Sequence, residues 1–274
     1  MLKTAVLPLS LKESKQRLYD MARCLKHFGT ETVYLVHVMA RDEGDSPKQR
    51  NIQQTIRDIA DSLRDLGLYV EMYFKTGRIA DTVCQTAQEL EADYLSLHWR
   101  KKNVIKQTLL GSADSDILRM CTHPVFIYQS GGHLERKTNL NRVLYATDFQ
   151  HTDSAVMPYL QNSDFCAEIL YLLHVGERAP DPYAEEERHR ESMRNLQRLA
   201  EECSHAFTTV ETMEVTGSVK GQIIRQTRKK KVDLVIVGKS EKARPLEQML
   251  GSVAETLPDR TRCSLFVVTD IRKG

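Results

Sequence analysis

The sequence predicts an α/β protein built from two tandem copies of a five-stranded, mainly parallel sheet with helices on both faces. Three observations carry that prediction. Gly77, Asp93 and Gly111-Ser112 recur as Gly217, Asp233 and Gly251-Ser252, each 140 positions later, so the chain is a tandem duplication. Short apolar runs rich in β-branched residues alternate with stretches of helical spacing in both halves. The length of 274 residues fits two units, each large enough to bury one core.

In the first copy Thr4 to Leu9 (TAVLPL) is a short apolar strand, and Lys12 to Phe28 has helical spacing closed by Gly29. Glycine stops a helix because it takes the left-handed conformation without a Cβ penalty. Glu31 to Val38 (ETVYLVHV) is β-branched and reads as a strand, Gln49 to Leu66 as a helix stopping at Gly67, and Tyr69 to Phe74 as a strand. Ile79 to Leu90 and Ala113 to Met120 are helical, with strands at Tyr94 to Leu97 and Val125 to Tyr128. The second copy repeats the order with Arg142 to Ala146, Asp153 to Asn162, Glu168 to Val175, a long charged helix from about Ala184 to His205, and Val210 to Val215. It continues with Val219 to Lys229, Leu234 to Val237, Leu246 to Leu257 and Leu265 to Val268. Strand and helix in strict alternation predict right-handed crossovers and a parallel sheet. Gln129 to Asn139 (QSGGHLERKTN) is polar, contains Gly131-Gly132 and reads as a linker between domains at 1–130 and 140–274.

Composition narrows the function classes. Hydrophobic residues at 41% and charged residues at 28% belong to an ordinary soluble globular protein. A net charge of +2 gives no reason to expect nucleic acid or an anionic membrane as partner. Cys24, Cys84, Cys121, Cys166, Cys203 and Cys263 form no C-x-x-C pair and have no histidine at zinc-ligand spacing, so neither a disulfide framework nor a structural metal is expected. Reduced cysteines fit a cytoplasmic protein. Met1-Leu2-Lys3 leads straight into a strand, without the pattern of a signal peptide, and no run approaches the ~20 apolar residues that span a bilayer.

In open parallel sheets the ligand crevice lies at the carboxyl ends of strands where strand order reverses, here after the first and fourth strands of each copy. In the second copy those loops are Thr147-Asp148 and the stretch from Gly238 to Ser252. The latter opens on glycine and closes on Gly251-Ser252 at a helix N-terminus. Glycine lets backbone approach a ligand closely, and a helix N-terminus favours an anion. Helix capping alone accounts equally for a Gly-Ser pair, since serine is a preferred N-cap, and Asp148 reads in the same way as a cap for the next helix.

On these residues the chain resembles the universal stress protein family, whose nucleotide-binding members carry G-2x-G-9x-G-(S/T) between the fourth strand and fourth helix. Val36-His37-Val38 and Leu173-His174-Val175 at a second strand's end, and Val215 to Val219 before the third helix, extend the resemblance over both copies. It implies an adenine nucleotide alpha hydrolase-like fold, with the copies paired as an intramolecular pseudo-dimer through Val125 to Tyr128 and Leu265 to Val268. Such pairing hides strand edges. It also implies a site for ATP or another adenine nucleotide in the second copy. Thr147 and Asp148 would lie near adenine and ribose, Val175 would line the base pocket, and Gly238, Gly251, Ser252 and Val253 would hold ribose and phosphates. Glu241 stands at the second glycine of the motif, bringing a negative charge to the phosphates.

The first copy departs further, with His98 and Lys101 at the first two glycine positions and Ser10 where the second copy has Asp148, so no such site is expected there. His98-Trp99-Arg100-Lys101-Lys102 reads as a solvated loop with a packed tryptophan. His37 and His174, kept in both copies, read as residues tied to the fold. Gly238-Lys239-Ser240 imitates the end of a P-loop, but Asp233 occupies its first glycine. Arg228-Lys229-Lys230-Lys231 falls at a helix end, where cations suit the dipole, and reads as solvated. No nucleophile elbow or H-E-x-x-H is present, so the chain is not expected to be an enzyme. The leading expectation is a stress-response binding or regulatory module. A nucleotide-free interaction scaffold, its crevices closed by Trp99, Lys101 and Glu241, is the alternative, and slow nucleotide hydrolysis a third.

Overall fold

The computed structural model describes residues 1–39, 46–99, 113–129, 140–150, 152–162, 167–240 and 253–270. Contacts divide the chain into two compact units, Met1–Ser130 and Gly131–Gly274. The first unit comprises β1 (Thr4–Pro8), α1 (Lys15–His27), β2 (Thr32–Met39), α2 (Pro47–Arg64), β3 (Tyr69–Thr76), α3 (Ile79–Glu89), β4 (Tyr94–His98), α4 (Ala113–Met120) and β5 (Val125–Tyr128). The second comprises β6 (Arg142–Thr147), α5 (Asp153–Leu160), β7 (Ile169–Gly176), α6 (Pro182–Cys203), β8 (Thr209–Thr216), α7 (Val219–Lys229), β9 (Leu234–Ser240), α8 (Val253–Arg260) and β10 (Ser264–Asp270). Strand order is β3-β2-β1-β4-β5 in the first unit and β8-β7-β6-β9-β10 in the second, and the strand pairs are parallel. The order reverses at β1/β4 and at β6/β9, which sets the two crevices.

Each unit packs its helices on its own sheet. Leu7, Leu35, Leu95 and Phe126 are buried in the first sheet, and Leu144, Leu172, Val235 and Phe266 in the second. Burying side chains of this size contributes about 1.5–3 kcal/mol each. Phe28 at the end of α1 meets Phe126 edge-on at 5.0 Å between ring centres, and Tyr159 of α5 meets Phe266 at 5.2 Å.

The duplication extends to the backbone. Gly77 and Gly217, which precede α3 and α7, have φ of 142° and 125°, a region open to glycine. The repeated aspartates clip the starts of the central strands, at the end of the sheet opposite the crevice. The Asp93 carboxylate accepts the N–H groups of Lys3 at 2.7 Å and Thr4 at 2.9 Å. The Asp233 carboxylate accepts the Arg142 N–H at 3.0 Å, and the Asp233 N–H donates to the Arg142 carbonyl at 2.8 Å.

Several boundaries differ from those the sequence predicts. Helices α2 and α6 begin two residues early, at Pro47 and Pro182, because Ser46 and Asp181 cap them and proline is pre-organised for the first helical position. Strand β9 continues past Val237 to Ser240 because β10 runs alongside it, pairing Val268 with Gly238. Gly238 therefore lies inside a strand. Helix α8 is described from Val253, and residues 246–252 of the predicted helix lie outside the described residues, as do the linker residues 130–139.

Two expectations are corrected. Cys84 of α3 and Cys121, just past α4, form a disulfide with Cα atoms 5.4 Å apart. Their separation of 37 residues carries no motif, and only the packing of α3 on α4 joins them. Lys230 is also not a solvated cation. Its Nζ donates to Glu211 Oε2 at 2.7 Å and lies 4.9 Å from the centre of the Tyr171 ring, while Arg228, Lys229 and Lys231 are exposed. No described helix is long and apolar enough to cross a membrane, and no group of metal-binding side chains gathers among the described residues.

Candidate functional site

Both crevices are built on one backbone frame. The His37 Nδ1–H donates to the Leu9 carbonyl at 2.9 Å where β1 ends, and the His174 Nδ1–H donates to the Thr147 carbonyl at 3.1 Å where β6 ends. These histidines fix the strand ends. Two residues beyond each carbonyl the chain turns left-handed, with φ of 61° at Leu11 and 59° at Phe149. A non-glycine residue rarely adopts this conformation. Sheet register explains the correspondence, since Ala5 pairs with Tyr94 as Val143 pairs with Leu234. The first strands are thus offset by 138 positions, which sets Ser10 opposite Asp148.

In the second unit Thr147 is buried, and its hydroxyl serves the protein. It donates to the Asp153 carboxylate at 2.8 Å and accepts the Phe149 N–H at 2.9 Å. Tyr145, fully buried, donates its hydroxyl to Asp153 Oδ1 at 2.5 Å. Asp148 is exposed at the mouth, where Oδ1 accepts the Gln150 N–H at 3.0 Å and the Thr152 hydroxyl at 3.5 Å. Asp148 therefore caps the turn, while Thr152 occupies the N-cap position of α5. The Phe149 ring stacks on His174 with centres 4.2 Å apart and planes at 26°.

Burial raises the Asp153 carboxyl above its ordinary 3.8, against the opposing pull of the Tyr145 and Thr147 hydroxyls. A raised carboxyl binds its proton more tightly folded than unfolded. Its stabilising contribution is complete below the ordinary value and is lost as pH rises through the raised one. Urea midpoints from about pH 3 to 7 should show the wild type losing stability across that window relative to Asp153→Asn. Parallel profiles for the two proteins would contradict this.

Gly238 sits in β9 beside that turn. A Cβ there would lie 2.2 Å from Thr152 Cβ, 2.6 Å from its Oγ1 and 2.9 Å from its Cγ2. The missing side chain makes room for Thr152. Val175 is half-buried near the end of β7, and Val253 opens α8. At the end of β7 the Arg188 guanidinium lies against Gly176. It forms two hydrogen bonds to Glu185, at 2.7 and 3.1 Å, and another to the buried Glu214 carboxylate. Its charge is matched within the protein. Gly251, Ser252 and Glu241 lie outside the described residues.

The first unit places different chemistry on the same frame. His98 ends β4 with only 9% of its surface exposed, its ring 6.2 Å from that of Tyr128. The exposed Ser10 donates its hydroxyl to Glu13 at 2.5 Å. Trp99 is buried, as the sequence suggests, and its main-chain N–H donates to the Tyr128 carbonyl at 3.0 Å. Lys101 and Gly111-Ser112 lie outside the described residues. Sequence reasoning brought Thr147, Asp148, Val175 and Gly238 to the ends of neighbouring strands. It missed Phe149, Thr152 and Asp153 as parts of the same cluster, because their contacts come from the turn's conformation and not from any motif.

Comparison with known proteins follows this duplication. The sequence profile of the Universal stress protein family matches residues 1–129 and again 140–269. Among solved structures, a universal stress protein from Archaeoglobus fulgidus is 17% identical, with 98% of this chain and 97% of that one covered and a TM-score of 0.75. A functionally unknown protein from Pseudomonas aeruginosa is 15% identical over 98% of this chain and 92% of that one, with a TM-score of 0.71. A putative universal stress protein from Pseudomonas aeruginosa UCBPP-PA14 is 17% identical over 97% and 93%, at 0.68. At these identities the structural likeness establishes the fold. No curated protein sequence matches the chain.

Proposed function

We propose, from the premise that the chain belongs to the universal stress protein family along both of its units, that it is a cytoplasmic binding and regulatory module whose second unit takes one adenine nucleotide. The first unit takes none. The supporting observation is the asymmetry of two crevices on one backbone frame. At the strand ends where order reverses, the second unit offers an exposed carboxylate, Asp148, and a strand position without a side chain, Gly238. The first offers Ser10 and the buried ring of His98. In this reading Asp148 accepts the ribose hydroxyls, Val175 flanks the base, and the backbone at Gly251, Ser252 and Val253 receives the phosphates at the start of α8. Thr147 contributes by holding the turn, since its hydroxyl is engaged by Asp153 and Phe149.

Ligand-dependent thermal shift tests the reading. At a hundredfold excess over Kd, ATP or AMP should stabilise the protein by about 2.7 kcal/mol, raising the melting temperature by several degrees. Asp148→Ala should abolish the shift and Ser10→Ala should keep it. An equal shift in Asp148→Ala would place the ligand elsewhere. A second reading, a scaffold without nucleotide, draws on the contact between Thr152 and Gly238, which accounts for that glycine without a ligand. Under it, neither nucleotide shifts any of the three proteins.

A further inference from the structure

We propose that Cys84 and Cys121 form a reversible thiol–disulfide exchange site, which takes a small-molecule or protein thiol as its reaction partner and couples the packing of α3 on α4 to redox state. The bond joins α3 to the end of α4 and closes a loop that contains all of β4, including His98 at the mouth of the first crevice. Comparison of the copies indicates that the fold does not require it. The repeat spacing of 140 places Ile224 and Thr261 at the equivalent positions of the second unit, where α7 and α8 form without a cross-link. A link carried by one copy alone adds a property to that copy.

The other described cysteines do not compete for this role. Cys24, Cys203 and Cys263 are buried and form no disulfide, and burial pushes the Cys24 and Cys203 thiols up to about 12. The pair itself is asymmetric, with Cys84 partly exposed and Cys121 at 2% exposure. An incoming thiolate therefore meets Cys84 first. It bonds to the Cys84 sulfur while the Cys84–Cys121 bond breaks, and Cys121 leaves as a thiolate that takes up a proton. A second thiolate then attacks the outer sulfur of the mixed disulfide, releasing the Cys84 thiolate and a disulfide of the two donors. Two thiols are oxidised, and one protein disulfide is reduced to two thiols. Oxidised partner runs the sequence backwards. A disulfide that a thiolate can reach through one partly exposed sulfur-bearing residue exchanges more readily than one buried on both sides.

The test uses the full chain, equilibrated without denaturant in buffers of graded reduced-to-oxidised glutathione, then alkylated and read by mass spectrometry at the two cysteines. The pair should convert cooperatively and reversibly within the range glutathione can set, with any mixed disulfide found on Cys84. The reduced protein should melt about 5–10 °C below the oxidised one, because a loop of this length no longer constrains the unfolded state. Cys84→Ser should melt at the reduced value in every buffer. The proposal fails if the two thiols never bond in oxidised glutathione, if the bond survives excess dithiothreitol in the folded protein, or if both forms melt together.

Discussion

Gly238→Val should destabilise the second unit by about 3 kcal/mol and lower its melting temperature on the order of 10 °C. The Cβ of any substituent would sit 2.2 Å from the Cβ of Thr152, well inside contact distance. Thr152 cannot yield by rotating a distal group, because the atom in the way is its own branch point next to the main chain, and the residue stands at the start of α5. Relief requires the β6–α5 turn to move, and that turn carries Asp148 and the stacked Phe149. Gly238→Ala combined with Thr152→Gly should recover much of the loss that Gly238→Ala causes alone, with a coupling of about 1–2 kcal/mol in a double-mutant cycle of denaturant midpoints. Strict additivity of the two changes would mean that this contact is not what restricts position 238.

The second large effect lies at the opposite end of the same sheet. Asp233→Ala should cost about 3 kcal/mol, because it removes a buried carboxylate, 2% exposed, and leaves the Arg142 N–H without its acceptor where β6 begins. Asp93→Ala should cost less, about 1–2 kcal/mol. Its carboxylate holds two N–H groups, but one belongs to the exposed Lys3, so water can replace part of what is lost. Asp233→Asn keeps one oxygen acceptor and should fall between wild type and alanine. Urea unfolding of the three variants checks the order, and an Asp233→Ala protein that unfolds with the wild type would rule out the clip.

Much of the fold was legible because its determinants are local or repeated. Gly77 and Gly217, spaced 140 apart, mark turns that need positive φ, and Asp93 and Asp233 mark strand-start clips. The alternation of apolar strand and amphipathic helix was sufficient for a parallel sheet with right-handed crossovers, whereas the strand order β3-β2-β1-β4-β5 and its counterpart in the second unit come from the sheet pairing itself. The candidate site was legible only at its strand ends. The reach of Thr147 to Asp153 depends on how the turn folds, and the fit of Thr152 over Gly238 on the distance between two strands' ends, neither of which leaves a residue pattern. Cys84 and Cys121 were read as two isolated thiols because cysteine spacing signals a bond only in short motifs, whereas these meet through helix packing. The duplication itself conceals one shift. A spacing of 140 for the glycines becomes 138 along the first strands, so that equivalent crevice residues emerge only through sheet register.

Native mass spectrometry of the gently purified protein, before and after addition of millimolar ATP or AMP, measures nucleotide stoichiometry on the intact chain. One adenine nucleotide per chain, absent from Asp148→Ala, is the result that a single competent crevice in the second unit predicts. Two nucleotides per chain would contradict the asymmetry between Ser10 with His98 and Asp148 with Gly238, and none would leave the nucleotide-free scaffold.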